Sequence, residues 1–318
     1  MSNPIFETAK PWTKFIFTIF LMLVSFLIFL LLGQLVIGLV YGFDHAGLSE
    51  LTAISKANIG QLKIAQAFQS VGIFVIPPIL AALLFSASAK NYLSTDKRIS
   101  ISSVSLLVLL IISILPLING LSEINQAMHL PESLSGLETK MQEAEKHAEK
   151  LTLLFLTGNS STLALILNLF IVAVLPAVGE ELLFRGVIQR IFTEWSGNIH
   201  VGIWIAAFLF SSIHFQFYGF LPRFILGGIF GYLLVWSGSI WLPITAHFIN
   251  NAGGVLYYHF RDSGENAQKL ETIGTKNSGD LLLTVSFILT ALILYALYRK
   301  GAMQNTDKLS GESGSHSQ

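Results

Sequence analysis

From Phe15 to Val40 the chain carries no charged residue, and comparable apolar runs recur almost to its C-terminal end. A bilayer core is about 30 Å thick and a helix rises about 1.5 Å per residue, so about 20 mostly apolar residues make one crossing. Runs of this kind fold as helices in lipid, where the backbone must satisfy its own hydrogen bonds. Only 12% of the 318 residues are charged, while 53% are hydrophobic and 24 are Phe. Soluble domains carry about 25% charged residues, so much of this surface faces something other than water. The mean hydropathy of +0.64 agrees. Formal net charge is zero, which removes any electrostatic case for nucleic acid or an acidic partner. There is no Cys, so disulfides, thiol nucleophiles and thiolate metal sites are excluded.

The first apolar run is too long for a secretory signal, whose core is about 7–15 residues. No small-residue cleavage site follows it, since Gln34 and Gly42 sit among large apolar side chains. It reads as a retained span. The expected fold is all-α, a polytopic transmembrane helix bundle of about eight spans. The first covers 15–40 and the second 64–84, with Pro77-Pro78 predicting a kink. The third covers 101–118. The fourth starts near Thr162 and runs into Glu180, and the fifth runs from Val201 past His214. The sixth, from Phe224 to Trp236, is short. The seventh covers 241–258 and the eighth 281–298.

Between spans three and four, Glu and Lys alternate with Leu134, Leu137, Met141, Ala144, Ala148 and Leu151 at helical spacing. This predicts an amphipathic helix on the membrane surface or folded over the bundle; a substrate-gating lid is the functional alternative. Residues 1–160 are thus expected to hold the N-terminal spans and this surface segment. Residues 161–300 form a second helix bundle, and 301–318, rich in Ser, Gly and charge, a disordered tail. Lys10, Lys14, Lys90, Lys97, Arg98, Arg185, Arg190, Arg299 and Lys300 all fall beside span ends on one side, which places both termini in the cytoplasm.

Ionisable residues in the middle of a transmembrane helix cost about 2.5–3.5 kcal/mol on insertion scales and point to function. Three polar clusters occur, all in the second half. In Gly179-Glu180-Glu181-Leu182-Leu183-Phe184-Arg185, Glu181 and Arg185 are four apart with the acid first, the favoured order for an ion pair. Glu180 lies about 100° around the helix and has no such partner, so it is the candidate general base; the plain alternative is two acids at the interface with a snorkelling Arg. Phe210 and His214 share a face of the fifth span. His247 and Asn251 share a face of the seventh, while Asn250 points elsewhere and suits helix–helix hydrogen bonding. Left unpaired these groups would be unfavourable. Their convergence in one hydrated cavity is therefore expected, with the fourth helix continuing through Arg190 so that Glu180 sits near its middle. Gly227-Gly228 and Gly231 predict close helix packing, Trp204, Trp236 and Trp241 interfacial or packing roles, and His200 and His259 structural ones.

Glu180-Glu181-xxx-Arg185, Phe210-xxx-His214 and His247-xxx-Asn251, in this order, resemble the three motifs of the CPBP intramembrane peptidases. That group includes the type II CAAX prenyl endopeptidases and the Abi bacteriocin-immunity proteins. The resemblance spans about Leu163 to Tyr258 with every motif position matched. It implies an eight-helix fold and hydrolysis of a peptide bond in a membrane-associated protein or peptide. Glu180 and His214 would activate water, and His247 and Asn251 would donate hydrogen bonds to the oxyanion. Glu181 and Arg185, with Phe210, would hold the local shape. Glu180, His214 and His247 could also ligate Zn²⁺ and leave one position for water, and the family is often called metalloprotease. There is no H-E-x-x-H motif, and the same three residues can do the chemistry without an ion, which is the favoured reading. An integral protein of a bacterial inner membrane, in contact with lipids, follows. A proton-coupled transporter, or a non-catalytic immunity or scaffold protein, stands as the alternative; no repeated halves of the kind many carriers show are present.

Overall fold

The computed structural model describes residues 4–45, 58–158, 161–260, 273–275 and 280–315, with side chains omitted at 45, 280 and beyond 303. Among the described residues there is no strand. The same residues form nine main helices: α1 (Pro11–Tyr41), α2 (Ile59–Phe85), α3 (Ile101–Gln126), α4 (Ser135–Thr157), α5 (Thr162–Ser196), α6 (Ile199–Ser212), α7 (Phe220–Ser237), α8 (Trp241–Phe260) and α9 (Asp280–Ser315). Six of the described helical segments are long and apolar enough to cross a membrane. They lie in α1, α2, α3, α5, α7 and α9. The chain is therefore a polytopic integral membrane protein. The other two expected spans correspond to α6, apolar but only 14 residues long, and α8, whose polar residues lower its hydropathy.

Burial is inverted relative to a soluble bundle. On α1, Leu23, Leu27, Leu31 and Leu35 are exposed while Lys14, Thr18, Ser25 and Gly33 are buried. Lipid is as apolar as Leu, so helices associate through small residues and hydrogen bonds instead. On α9, Ser286 and Thr290 face α3 and bond the carbonyl and hydroxyl of Ser113 at 2.5 and 3.3 Å. The sixth expected span proves longer than 224–236: it begins at Phe220, after a 3₁₀ turn at Phe217–Gly219. Pro222 sits in its first turn, where a missing N–H costs nothing.

Prolines also shape α2 and α5. A π-wound stretch, Val71–Val75, is separated by one residue from Pro77-Pro78, and another, Leu169–Val174, by one residue from Pro176. Each proline withholds the N–H that an α-turn would give to the carbonyl four residues back, and the wider π turn accommodates the break. A third π stretch, Leu182–Ile188, follows Glu181. As expected, α5 continues through Arg190, and Glu180 falls near its centre.

One expectation needs correction. Arg185 is not a flanking cation, being 1% exposed and paired inside the bundle with Glu181, which is 0% exposed. Lys14, Lys97, Arg190 and Lys300 do gather at one end. Lys14 bonds Glu194 at 3.1 Å, Arg190 lies over the Tyr92 ring, Lys300 bonds Ser100 and Ser102, and Lys97 rests against Gly238. The polar and apolar sides of α4 are both visible in the structure. Leu134, Leu137 and Ala144 of its expected apolar stripe are exposed. Its inward side carries polar groups, because Glu138, Gln142 and Glu145 bond the hydroxyl and backbone N–H of Tyr218. The backbone of α9 is helical to Ser315. Extending an existing helix costs far less than starting one.

Candidate active site

The central part of α5 places two adjacent acids on different sides of the helix. Glu181 Oε1 accepts from Arg185 Nη1 at 2.9 Å and from His247 Nδ1 of α8 at 2.8 Å. The guanidinium also donates to the Gly227 carbonyl of α7 at 3.1 Å. A Cβ at Gly227 would come within 3.2 Å of the Ala207 Cα, so glycine keeps α6 close to α7 at this level. The Arg185 guanidinium lies 4.6 Å from the Phe210 ring centroid and 5.6 Å from that of Phe230, a desolvated cation–π arrangement. Phe230 in turn stacks on the His247 ring at 5.4 Å. His247 is thereby fixed in position and in tautomer. A carboxylate only accepts, so Nδ1 carries hydrogen and Nε2 is the free edge. That Nε2 lies 3.9 Å from Glu180 Oε2.

His214 follows the end of α6. Its Nδ1 donates to the Phe210 carbonyl at 2.8 Å, which leaves Nε2 with a lone pair. Asn251, one turn beyond His247, donates from Nδ2 to the Val172 carbonyl at 3.1 Å and accepts from Asn250 Nδ2, also at 3.1 Å. Val172 is the residue four before Pro176, so its carbonyl receives no α-helical N–H from that position. One N–H of the Asn251 amide remains uncommitted by these bonds.

These side chains meet. Glu180, His214, His247 and Asn251, from α5, the end of α6 and α8, line one cavity of about 230 Å³. Phe210 lines it too, whereas Glu181 and Arg185 stand behind His247 rather than in the cavity. Asn250 also lines it, contrary to the expectation that it points elsewhere. Its neighbour Asn251 draws its amide inward.

Arg223 and Gln66 are further polar lining residues that the sequence reading missed. Arg223 donates from Nη1 and Nη2 to the side chain and backbone carbonyl of Gln216, each at 2.8 Å, and so braces the turn that carries His214. The signal was present: an arginine at the edge of an apolar helix.

Among the described residues no three His, Cys, Asp or Glu side chains come together as a metal-binding group.

The cavity thus gathers a half-buried carboxylate, two oriented imidazoles and a carboxamide within a polytopic helix bundle. Residues 162–253, the segment that builds this cavity, match the family model described as type II CAAX prenyl endopeptidase Rce1-like. The match supports the family assignment that the motifs suggest and an intramembrane peptidase type of function. The chain is also 34% identical over 89 residues to the uncharacterized protein YpbD of Bacillus subtilis (strain 168). That alignment covers 27% of this chain and 42% of the relative, so the chain spans less than half of the curated protein it matches. No solved structure matches.

Proposed function

We propose that this chain is an intramembrane endopeptidase of the CAAX-protease type, cleaving a peptide bond of a membrane-associated protein or peptide. The observation that carries the reading is the single cavity lined by Glu180, His214, His247 and Asn251. A water held between the Glu180 carboxylate and the His214 Nε2 loses a proton to this pair as its oxygen attacks the scissile carbonyl. The oxyanion takes hydrogen bonds from the remaining Asn251 N–H and from His247 Nε2. Because Nδ1 already holds a hydrogen against Glu181, an Nε2 donor means an imidazolium, flanked by Glu181 and Glu180. The proton taken from water passes to the leaving amine as the C–N bond breaks. No step needs an ion.

In this reading α6 and α8 join the six long helices as crossings, giving eight and bringing both termini to the same side. The cations at that end make it the cytoplasmic side of a bacterial inner membrane. The test is a pair of variants, Glu180→Gln and His214→Ala, in the purified full-length protein reconstituted in liposomes. Membrane proteins that accumulate in cells carrying Glu180→Gln supply the candidate substrates. Each variant should lose about 100-fold or more in cleavage rate while keeping the wild-type melting temperature. Wild-type cleavage by either variant would overturn the assignment. A Glu180-dependent proton or solute flux without cleavage would replace it with a transporter.

A further inference from the structure

A second cavity, of about 390 Å³, opens at the end of the bundle where the cations gather. It is independent of the peptidase reading. Its lining is divided. Tyr92, Ser94, Gln189, Arg190 and Thr193 supply polar groups, and Ile199, Leu234 and Val235 an apolar wall. Two polar atoms lack partners. The Tyr92 hydroxyl is buried on a residue 5% exposed and the Gln189 Oε1 on a residue 4% exposed, and neither has a hydrogen-bond partner in the protein. An unmatched buried polar atom costs about 1–3 kcal/mol, so a residue type that leaves one beside a cavity implies something that fills it.

The charges say what. Arg190 is exposed, and its guanidinium lies 4.6 Å from the Tyr92 ring centroid, above the phenol. Lys97 rests on Gly238, another lining residue. The acid of the cavity, Glu194, is already neutralised by Lys14 at 3.1 Å. At the inner wall, Arg185 is matched by Glu181. The uncompensated charge is therefore positive. Burial raises the Tyr92 pKa, which keeps the hydroxyl protonated and makes it a donor.

We propose that this cavity binds a phosphate group, with Arg190 and Lys97 as its counter-charges and the Tyr92 hydroxyl as a neutral donor. Cationic recesses between helix ends are suited to lipid headgroups. The apolar wall would take the glycerol backbone and first methylenes of a phospholipid, and Gln189 Oε1 would accept from a headgroup hydroxyl. Free phosphate offers the same anionic chemistry without those apolar contacts.

The experiment uses full-length protein, delipidated in neutral detergent, with melting temperature followed against added phosphatidylglycerol, phosphatidylcholine or inorganic phosphate. Native mass spectrometry of the same samples counts bound lipid, so a variant with altered baseline stability still reports. A saturable rise with phosphatidylglycerol that phosphatidylcholine does not match identifies an anionic lipid. An equal rise with inorganic phosphate identifies the soluble anion. In either case Arg190→Gln should weaken the half-saturation point about tenfold, as loss of a charge-assisted bond does. Tyr92→Phe, which keeps the ring under Arg190, should weaken it about threefold. No saturable response to any of the three, or a response unchanged in both variants, overturns the proposal.

Discussion

Replacing Arg185 with Met tests whether the Glu181–Arg185 pair holds the centre of the bundle. Both side chains are inaccessible, at 0% and 1% exposure. In Arg185→Met, the carboxylate of Glu181 keeps only the 2.8 Å bond from His247 Nδ1 and loses the 2.9 Å charged donor. Breaking a buried pair from one side costs about 3–5 kcal/mol, because the remaining charge is left without compensation. The guanidinium also gives up its positions over Phe210 and Phe230, worth about 2 kcal/mol when desolvated. The Met side chain recovers part of that by packing on the same rings. A net loss of about 3–5 kcal/mol is expected. In Glu181→Gln/Arg185→Met no charge remains and the Gln oxygen still accepts from His247, so the double variant should return to within about 2 kcal/mol of wild type. Equilibrium unfolding in mixed micelles, followed by circular dichroism, gives the three differences. A single variant within about 1 kcal/mol of wild type, or a double variant no more stable than Arg185→Met, would refute the pairing as the source of stability.

Three further outcomes follow from the geometry. Asn251→Ala should lower kcat by about 100–1,000-fold with little change in KM, as loss of an oxyanion donor does; a change confined to KM in steady-state cleavage kinetics would remove Asn251 from the chemistry. Gly179→Ala places a Cβ 2.8 Å from Phe74 Cβ and 3.1 Å from its backbone carbon, so it should cost about 1–3 kcal/mol in the same unfolding assay. It should also depress cleavage, because the turn carrying Glu180 is pushed away from α2. Exhaustive chelation should leave cleavage intact and elemental analysis should find no stoichiometric zinc; activity lost to chelator and restored by Zn²⁺ would overturn the ion-free mechanism.

What was legible in the sequence was the set of residues that obey simple helical spacing. Glu181 and Arg185, at four apart, do form the expected ion pair even though the turns after Glu181 are π-wound. His247 and Asn251 share a face as their spacing requires, and long apolar runs located six crossings. The losses have separate causes. Arg223 was passed over because the apolar run was taken to begin at Phe224, and a charged residue at a span edge reads as a snorkelling flank. Asn250 was set aside by angular position alone, which ignores that a cavity at the meeting of several helices accepts more than one face. The inward polar side of α4 was illegible because its partners, the hydroxyl and N–H of Tyr218, lie far away in sequence.

The backbone of α5 joins these observations. In an unbroken α-helix the carbonyl of Val172 would already accept the N–H of residue 176 and could offer Asn251 only its second lone pair. Pro176 supplies no N–H, the π-wound stretch Leu169–Val174 precedes it, and the Val172 carbonyl takes the Asn251 amide. Five residues after the proline, Glu181 fixes His247 on the same neighbouring helix. One local defect and one buried acid thus hold α8 at two points a turn apart, and between them α5 presents Glu180 to the cavity. Helical spacing alone puts His247 and Asn251 on one face. What holds them beside Glu180 is the Glu181 carboxylate for His247 and, for Asn251, a carbonyl that a proline leaves open.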